Sequence, residues 1–290
     1  MYSLGRSPIN VNRVKKRLIK YPNRQAANNL IQGLEFGFTL KYSGPIMPFI
    51  PHSKDIVGHM AAIAEEKISK EIKLGRIAGP FLNPPFPTFR VSPISVIPKK
   101  SSSEFRLIHN LSYPHHQSVN DFIDKEDCSV NYSSIDDAVR MIQSLGNNAL
   151  LAKCDIKSAF RLLRLAPSEF ELTGFKLRNK YYFDKCLLMG ASISCSLFDS
   201  FSTALHWFVQ EQSANENILH YLDDFLFGGV AGTTQCSETL SIFKDCCSDW
   251  EGVPLAGDKT VEPTEKLVFL GIEFGTSDMI MRLPGEKSVN

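Results

Sequence analysis

The stretch ILHYLDDFLFGG, residues 218–229, sets an acidic pair between two apolar runs. Asp223 and Asp224 separate ILHYL from FLFGG, a pattern that is typical of a β-hairpin with a tight turn. Aspartates bounded by strands this apolar are costly to bury without a counter-charge. Asp-Asp is also an ordinary turn sequence. Whether the pair is catalytic therefore depends on which other residues lie near it in the fold.

A second aspartate, Asp155, lies at the end of the apolar strand ALLAKCDI, residues 149–156. Mg2+ is typically bound by one or two carboxylates together with substrate phosphate oxygens. Two such ions about 4 Å apart can activate an attacking hydroxyl and stabilise a leaving pyrophosphate. The sequence therefore predicts nucleotidyl transfer, provided that the fold brings Asp155 and Asp223 together.

Predicted helices and hairpins alternate along the chain. We expect Ser53 to begin a helix that ends at Gly75, and Ser134 with Asp137 forms a capping-box pattern before IDDAVRMIQSL. Two-residue turns join only antiparallel strands, so the alternation predicts an α+β fold. The other predicted elements are helices at 10–20, from 23, at 157–163, 193–212 and 233–250, and hairpins at 95–110, 173–185, 218–228 and from 267.

The composition is that of a globular protein, because 43% of the 290 residues are hydrophobic and the net charge is +1. No apolar stretch approaches the roughly 20 residues of a membrane span, and the N-terminus lacks the apolar core of a signal peptide. The cysteines are odd in number and form no CxxC pair, so neither a disulfide framework nor a zinc site is indicated. We therefore expect an intracellular protein, nuclear or cytoplasmic, without a membrane partner.

The first acidic residue, Glu35, is preceded only by basic charges, which suit phosphates or form a solvated helix face. These basic residues are Arg6, Arg13, Lys15, Lys16, Arg17, Lys20 and Arg24.

Two motifs, YLDD (221–224) and DIKSAF (155–160), resemble the catalytic hairpin and the first metal-binding segment of the reverse transcriptases. The chain is most similar to the reverse transcriptases of the tyrosine-recombinase (DIRS-type) retrotransposons, in the right order to FLGIEF near its end. The resemblance implies an α+β right-hand polymerase with an antiparallel palm sheet backed by helices. It implies a basic helical extension (1–52) and a reverse transcriptase domain (53–290), with fingers at about 53–130 and 163–187 and palm at about 131–162 and 188–290.

The same resemblance implies the site residues. Asp155 and Asp223 would be the primary ligands of two Mg2+ ions, or of Mn2+ in their place, with Asp224 assisting. Lys259, in GVPLAGDKT, would be a general acid that protonates pyrophosphate, a role typically worth about 10²–10⁴-fold. Phe160 would be an aromatic gate against a ribose 2′-hydroxyl. The other implied positions are Lys99, Arg106, Ile156, Met189 and Gly190 for the nucleotide, and Phe269, Leu270 and Gly271 for the primer grip.

The implied partners are an RNA or DNA template with a DNA primer, and deoxynucleoside triphosphates. RNase H and recombinase domains would complete the polyprotein. An RNA-templated RNA polymerase is one alternative, which Phe160 disfavours because such enzymes usually need a polar residue there. A catalytically idle nucleic-acid-binding remnant is the other alternative, against which the intact acidic and basic site residues argue.

Overall fold

The computed structural model describes residues 2–98, 105–250 and 252–285, in which helices and antiparallel strands alternate. The helices are α1 (Val11–Arg17), α2 (Arg24–Phe36), α3 (Gly58–Lys73), α4 (Ile135–Leu145), α5 (Ser194–Ser213) and α6 (Gln235–Asp249). The strands are β1 (Ile77–Phe81), β2 (Ile94–Pro98), β3 (Phe105–His109), β4 (Leu150–Asp155), β5 (Gly174–Leu177), β6 (Lys180–Asp184), β7 (Ile218–Tyr221), β8 (Asp224–Gly229), β9 (Val261–Thr264), β10 (Lys266–Phe269), β11 (Ile272–Gly275) and β12 (Ile280–Arg282).

Local sequence signals fix the starts of α1 and α4. The Asn10 side chain accepts a hydrogen bond from the backbone of Arg13 and caps α1. Ser134 and Asp137 form the complete capping box of α4. The start expected at Ser53 is wrong, because α3 begins at Gly58. Gly58 has a φ of 59°, a left-handed conformation through which a right-handed helix cannot continue.

The chain divides into two compact units that alternate in sequence. The first unit comprises residues 2–7, 28–130 and 160–198 within the described ranges, and the second comprises residues 8–27, 131–159 and 199–285. These divisions do not test the predicted boundaries of extension, fingers and palm, which stay predictions.

In the first unit, an antiparallel sheet of order β1-β6-β5 stands beside the separate hairpin β2-β3. Helix α3 packs on both with Ala61, Ala64 and Ile68, which are buried against Ile77 and Phe175. The small alanines let the helix approach the strands closely, so burial of this apolar stripe holds the unit together.

In the second unit, four antiparallel strands form a sheet of order β7-β8-β4-β9, and β10-β11-β12 form another. Helices α4 and α6 contact the four-stranded sheet. The core beneath α4 joins Met141 and Leu145 to Leu226, Phe269 and Phe274. Together with the first unit, this confirms the predicted α+β fold with antiparallel sheets backed by helices.

None of the helices in the described part of the chain is long and apolar enough to cross a membrane.

Candidate active site

The sheet register brings the predicted acidic residues together. Strands β4 and β8 pair antiparallel, which places Asp155 directly opposite Asp224. Leu222 and Asp223 form the turn between β7 and β8, and the backbone N–H of Ile156 donates to the carbonyl oxygen of Asp223 at 2.9 Å. Carboxylates that are far apart in sequence therefore share one end of the four-stranded sheet.

Lys259 reaches this end of the sheet because its loop is fastened to β4. The backbone N–H of Ala256 donates to the carbonyl oxygen of Asp155 at 2.8 Å, and the N–H of Lys157 donates to that of Pro254 at 2.7 Å. The Lys259 ammonium then donates to Asp155 Oδ2 at 2.7 Å. The structure thus joins two of the predicted catalytic residues by a direct ion pair.

A second lysine, Lys153, faces the acidic pair. Its Nζ lies 3.1 Å from Asp224 Oδ1. This oxygen is buried, and although Lys153 is near, it accepts no hydrogen bond. Lys153 and Asp155 are two residues apart in β4 and so face the same side of the sheet. A lysine inside an apolar strand was the available sequence signal for this contact, which the motifs did not reveal.

Burial and mutual repulsion disfavour the negatively charged form of these carboxylates. The pKa of Asp223 is raised to about 6, first by burial and then by the neighbouring Asp155. Burial also raises the pKa of Asp155, and the bond from Lys259 offsets part of that effect. In return, its hydrogen bond to Asp155 raises the pKa of Lys259. The site therefore has a deficit of positive charge that a bound cation would relieve.

These residues fit a divalent cation whose remaining ligands come from the substrate. No group of three or more His, Cys, Asp and Glu within residues 2–98, 105–250 and 252–285 could hold a metal by itself. Mg2+ rarely uses such a cage, since it takes one or two carboxylates plus substrate phosphates. A bound ion would provide a ligand bond to Oδ1 of Asp224, which accepts no hydrogen bond, and would stabilise the charged form of Asp223, whose pKa is raised.

The positions predicted to contact the nucleotide base and sugar lie mostly in the first unit. The half-buried Phe160 ring packs edge-on against Phe198, with ring centroids 5.4 Å apart. Met189 is exposed, whereas a Cβ on Gly190 would overlap the carbonyl oxygen of His109. Only glycine fits at position 190, because the backbone of His109 lies too close for any side chain. Ile156 is buried in the second unit, next to Asp155.

The predicted phosphate-binding hairpin is present as β2 and β3, in register from Ile94–His109 to Pro98–Phe105. Arg106 is exposed on β3. Lys99 lies outside the residues that the structure describes, so its predicted role is not tested.

The predicted primer grip is the β10-β11 hairpin. Phe269 is fully buried in the core beneath α4, and Leu270 with Gly271 forms the turn. Both turn residues have positive φ, 48° and 79°, which suits a two-residue hairpin. The hairpin itself is confirmed, and its contact with a primer stays a prediction.

Paired carboxylates at the end of an antiparallel sheet, with helices behind it, form the arrangement expected of a right-hand polymerase fold. Residues 97–274, more than half of the chain, match the family described as "Reverse transcriptase (RNA-dependent DNA polymerase)". The chain therefore belongs to the reverse transcriptase family.

Solved structures of foamy viral enzymes share the fold. The foamy viral protease-reverse transcriptase dRH in complex with double-stranded DNA matches with a TM-score of 0.67 at 15% identity, over 96% of this chain and 48% of that one. The foamy viral protease-reverse transcriptase in complex with an RNA/DNA hybrid gives a TM-score of 0.65 at 16% identity, over 96% of this chain and 36% of that one. The native prototype foamy virus protein gives 0.60 at 17% identity, over 83% and 28%.

This chain spans less than half the length of these solved proteins. Comparison with curated protein sequences gives no match.

Proposed function

We propose that this chain is the polymerase part of an RNA-directed DNA polymerase, which extends a DNA primer by two-metal-ion nucleotidyl transfer. The observation that carries the proposal is the opposition of Asp155 and Asp224 across β4 and β8, with Asp223 in the adjoining turn. This acidic end of the sheet lies within the segment that matches the reverse transcriptase family.

In the proposed reaction, Asp155 and Asp223 would hold two Mg2+ ions, or Mn2+ in their place, and Asp224 would assist. Ions bound there would lower the pKa of the primer 3′-hydroxyl and neutralise charge on the leaving pyrophosphate. Lys259, beside Asp155, is placed to donate a proton to that pyrophosphate. Each residue of this set lies in the second unit.

Nucleotide selection is assigned mostly to side chains of the first unit. Arg106 and Lys99 hold the triphosphate through charge-assisted hydrogen bonds. Phe160 excludes a ribose 2′-hydroxyl, and Met189 and Gly190 lie along the base. Ile156 lines the site beside Asp155, and Phe269 to Gly271 position the primer end.

Template and primer are held chiefly through their phosphates, so binding weakens steeply as salt rises. The foamy viral proteins of the same fold are bound to double-stranded DNA and to an RNA/DNA hybrid. By that likeness, this chain binds an RNA or DNA template paired with a DNA primer.

The proposal extends to the origin of the chain. The order of its motifs supports a retrotransposon of the tyrosine-recombinase class, in which RNase H and recombinase domains complete an intracellular polyprotein. Residues 1–52 would be its basic extension, and residues 53–290 its fingers and palm.

The decisive experiment is extension of a labelled DNA primer on an RNA template, with deoxynucleotides or ribonucleotides supplied separately. We expect Mg2+-dependent extension with deoxynucleotides only, and none from the Asp223→Asn variant. Equal use of ribonucleotides would favour an RNA polymerase. Template binding without extension, also in a longer chain that continues past residue 290, would favour the idle remnant.

A further inference from the structure

A buried ion cluster in the first unit surrounds Arg161, whose side chain is only 19% exposed. Its Nη1 lies 2.6 Å from Asp184 Oδ1, and its Nε donates to Glu71 Oε2 at 3.0 Å. Burial by itself would lower the pKa of Arg161, but Asp184 and Glu71 outweigh burial and raise it. Burial by itself would raise the pKa of Asp184. Arg161 and His109 outweigh burial, so the pKa of Asp184 lies below its usual value. Both groups are therefore charged at any working pH.

The second oxygen of Asp184 extends the cluster to β3. Oδ2 lies 3.2 Å from Nδ1 of His109, whose Nε2 lies 3.2 Å from the carbonyl oxygen of Gly174. The imidazole also packs edge-on against Phe175, with ring centroids 5.2 Å apart. Asp184 thus joins two side chains from different segments, and both lie within the first unit.

Each end of this network contacts an element assigned to the nucleotide. Arg161 directly follows Phe160 in the 3-10 turn Ala159–Leu162. Its Nη1 also donates to the carbonyl oxygens of Cys186 and Leu187, at 3.4 and 3.3 Å, where the chain enters the loop Leu188–Gly190. At the other end, the His109 carbonyl oxygen occupies the space beside Gly190 that a side chain would need.

The far side of the loop is held independently. Ser194 donates to the carbonyl oxygen of Leu188 at 2.7 Å, and Asn120 donates to that of Gly190 at 2.8 Å. Hydrogen bonds therefore hold the loop at both ends, and the network with Arg161 ties the loop to the segment that carries Phe160.

We propose that Arg161, Asp184 and His109 are positioning residues that fix the Phe160 ring relative to the Leu188–Gly190 loop and thereby set discrimination between deoxyribonucleotides and ribonucleotides. This role rests on the proposed function. A gate excludes one hydroxyl group only if its distance from the rest of the pocket is fixed, and misplacement by about 1 Å can cost 10²-fold. A purely stabilising ion cluster would instead affect both sugars alike.

The variants are chosen to separate geometry from charge. Arg161→Met removes the guanidinium, whereas Arg161→Lys keeps the charge but loses the planar fork that bridges carboxylates and carbonyls. The matched control is Arg178→Gln, which breaks an exposed ion pair with Glu65 in the same unit, where Nη1 and Oε2 are 3.0 Å apart.

The measurement is kcat and KM for one deoxynucleotide and the matching ribonucleotide on the same primer-template. We expect Arg161→Met to lower the ratio of the two kcat/KM values at least about tenfold, mainly because KM for the ribonucleotide falls toward that of the deoxynucleotide. Arg161→Lys should lie between Arg161→Met and the wild type, and Arg178→Gln should match the wild type.

An unchanged ratio in Arg161→Lys overturns the inference, even if Arg161→Met does not fold. So does an equal loss of kcat/KM for both sugars in either Arg161 variant. Affinities of both nucleotides for a complex with a dideoxy-terminated primer give the same ratio without chemistry. If the wild-type chain binds deoxynucleotides selectively in that complex and both Arg161 variants lose that selectivity, the inference is supported even when no primer is extended, a result that would contradict the proposed function alone.

Discussion

The ammonium group of Lys259 lies 2.7 Å from Oδ2 of Asp155 and donates a hydrogen bond to it, so the two side chains form an ion pair. Lys153 forms a second ion pair with Asp224, with Nζ and Oδ1 3.1 Å apart. Each lysine balances a carboxylate that burial would otherwise leave costly. Divalent cations held by Asp155 would compete with the Lys259 ammonium for that carboxylate.

Replacement of Lys259 by alanine should have two opposite effects. Primer extension should slow by about 10²–10⁴-fold in kcat, because the general acid is lost. Binding of Mn2+ in the absence of nucleotide should become tighter, because no ammonium competes for Asp155. Extension rates and the electron paramagnetic resonance signal of free Mn2+ measure the two effects. The control is Lys157→Ala, at an exposed lysine two residues after Asp155, and a similar loss of activity there would contradict the role of Lys259.

Asp223→Asn should abolish Mg2+-dependent extension while leaving template binding nearly intact. The amide keeps the shape of the side chain but removes the charge, and a bound metal ion is worth several kcal/mol of transition-state stabilisation, about 10²-fold or more in rate. Single-turnover extension and the affinity for a labelled primer-template measure the two quantities. An equally active variant would refute the metal assignment.

The acidic site was largely predictable from sequence, because its residues sit at the ends of strongly apolar strands. The tight turn at Asp223 and the strand end at Asp155 follow from local patterns, and the antiparallel pairing of β4 with β8 brings them together. The capping box at Ser134 was predictable for the same reason, since its two partners are three residues apart.

The interactions that local patterns could not predict depend on distant segments. Arg161, Asp184 and His109 come from separate parts of the chain, and no spacing rule links them. The start of α3 was predicted too early because serine is a common cap. The helix begins instead at Gly58, whose left-handed φ no capping pattern in the sequence indicates. Sequence thus predicts elements and their ends more readily than side-chain pairing between them.

Phe160→Ala should admit ribonucleotides. Loss of the ring opens the space that a 2′-hydroxyl would fill, so the preference for deoxynucleotides should fall at least about tenfold. Competition between the two nucleotide sets on one template measures the change. Phe160→Tyr keeps the ring and should preserve the preference. Unchanged sugar discrimination in the alanine variant would show that Phe160 is only a packing residue against Phe198.

His206 should make the stability of the second unit depend on pH. Its Nδ1 lies 2.8 Å from Nδ1 of His220, and His220 stacks on Phe225, with ring centroids 5.4 Å apart. Burial, followed by the charge of His220, lowers the pKa of His206 to about 4. A histidine in the unfolded chain takes up its proton near pH 6.5, so the unfolded state binds more protons between these two values. Stability is therefore fully present above about pH 6.5 and is lost as the pH falls toward 4.

The size of this effect can be isolated by comparing the wild type with His206→Gln, which cannot titrate. Between pH 7.5 and pH 5 the free energy of unfolding of the wild type should fall by about 2 kcal/mol more than that of the variant. Urea unfolding at the two pH values measures the difference, in which the contributions of groups that do not interact with His206 cancel. His59→Gln, at an exposed histidine of α3, should behave as the wild type does. Equal pH dependence in the wild type and His206→Gln would mean that His206 is protonated as readily in the folded chain as in the unfolded one.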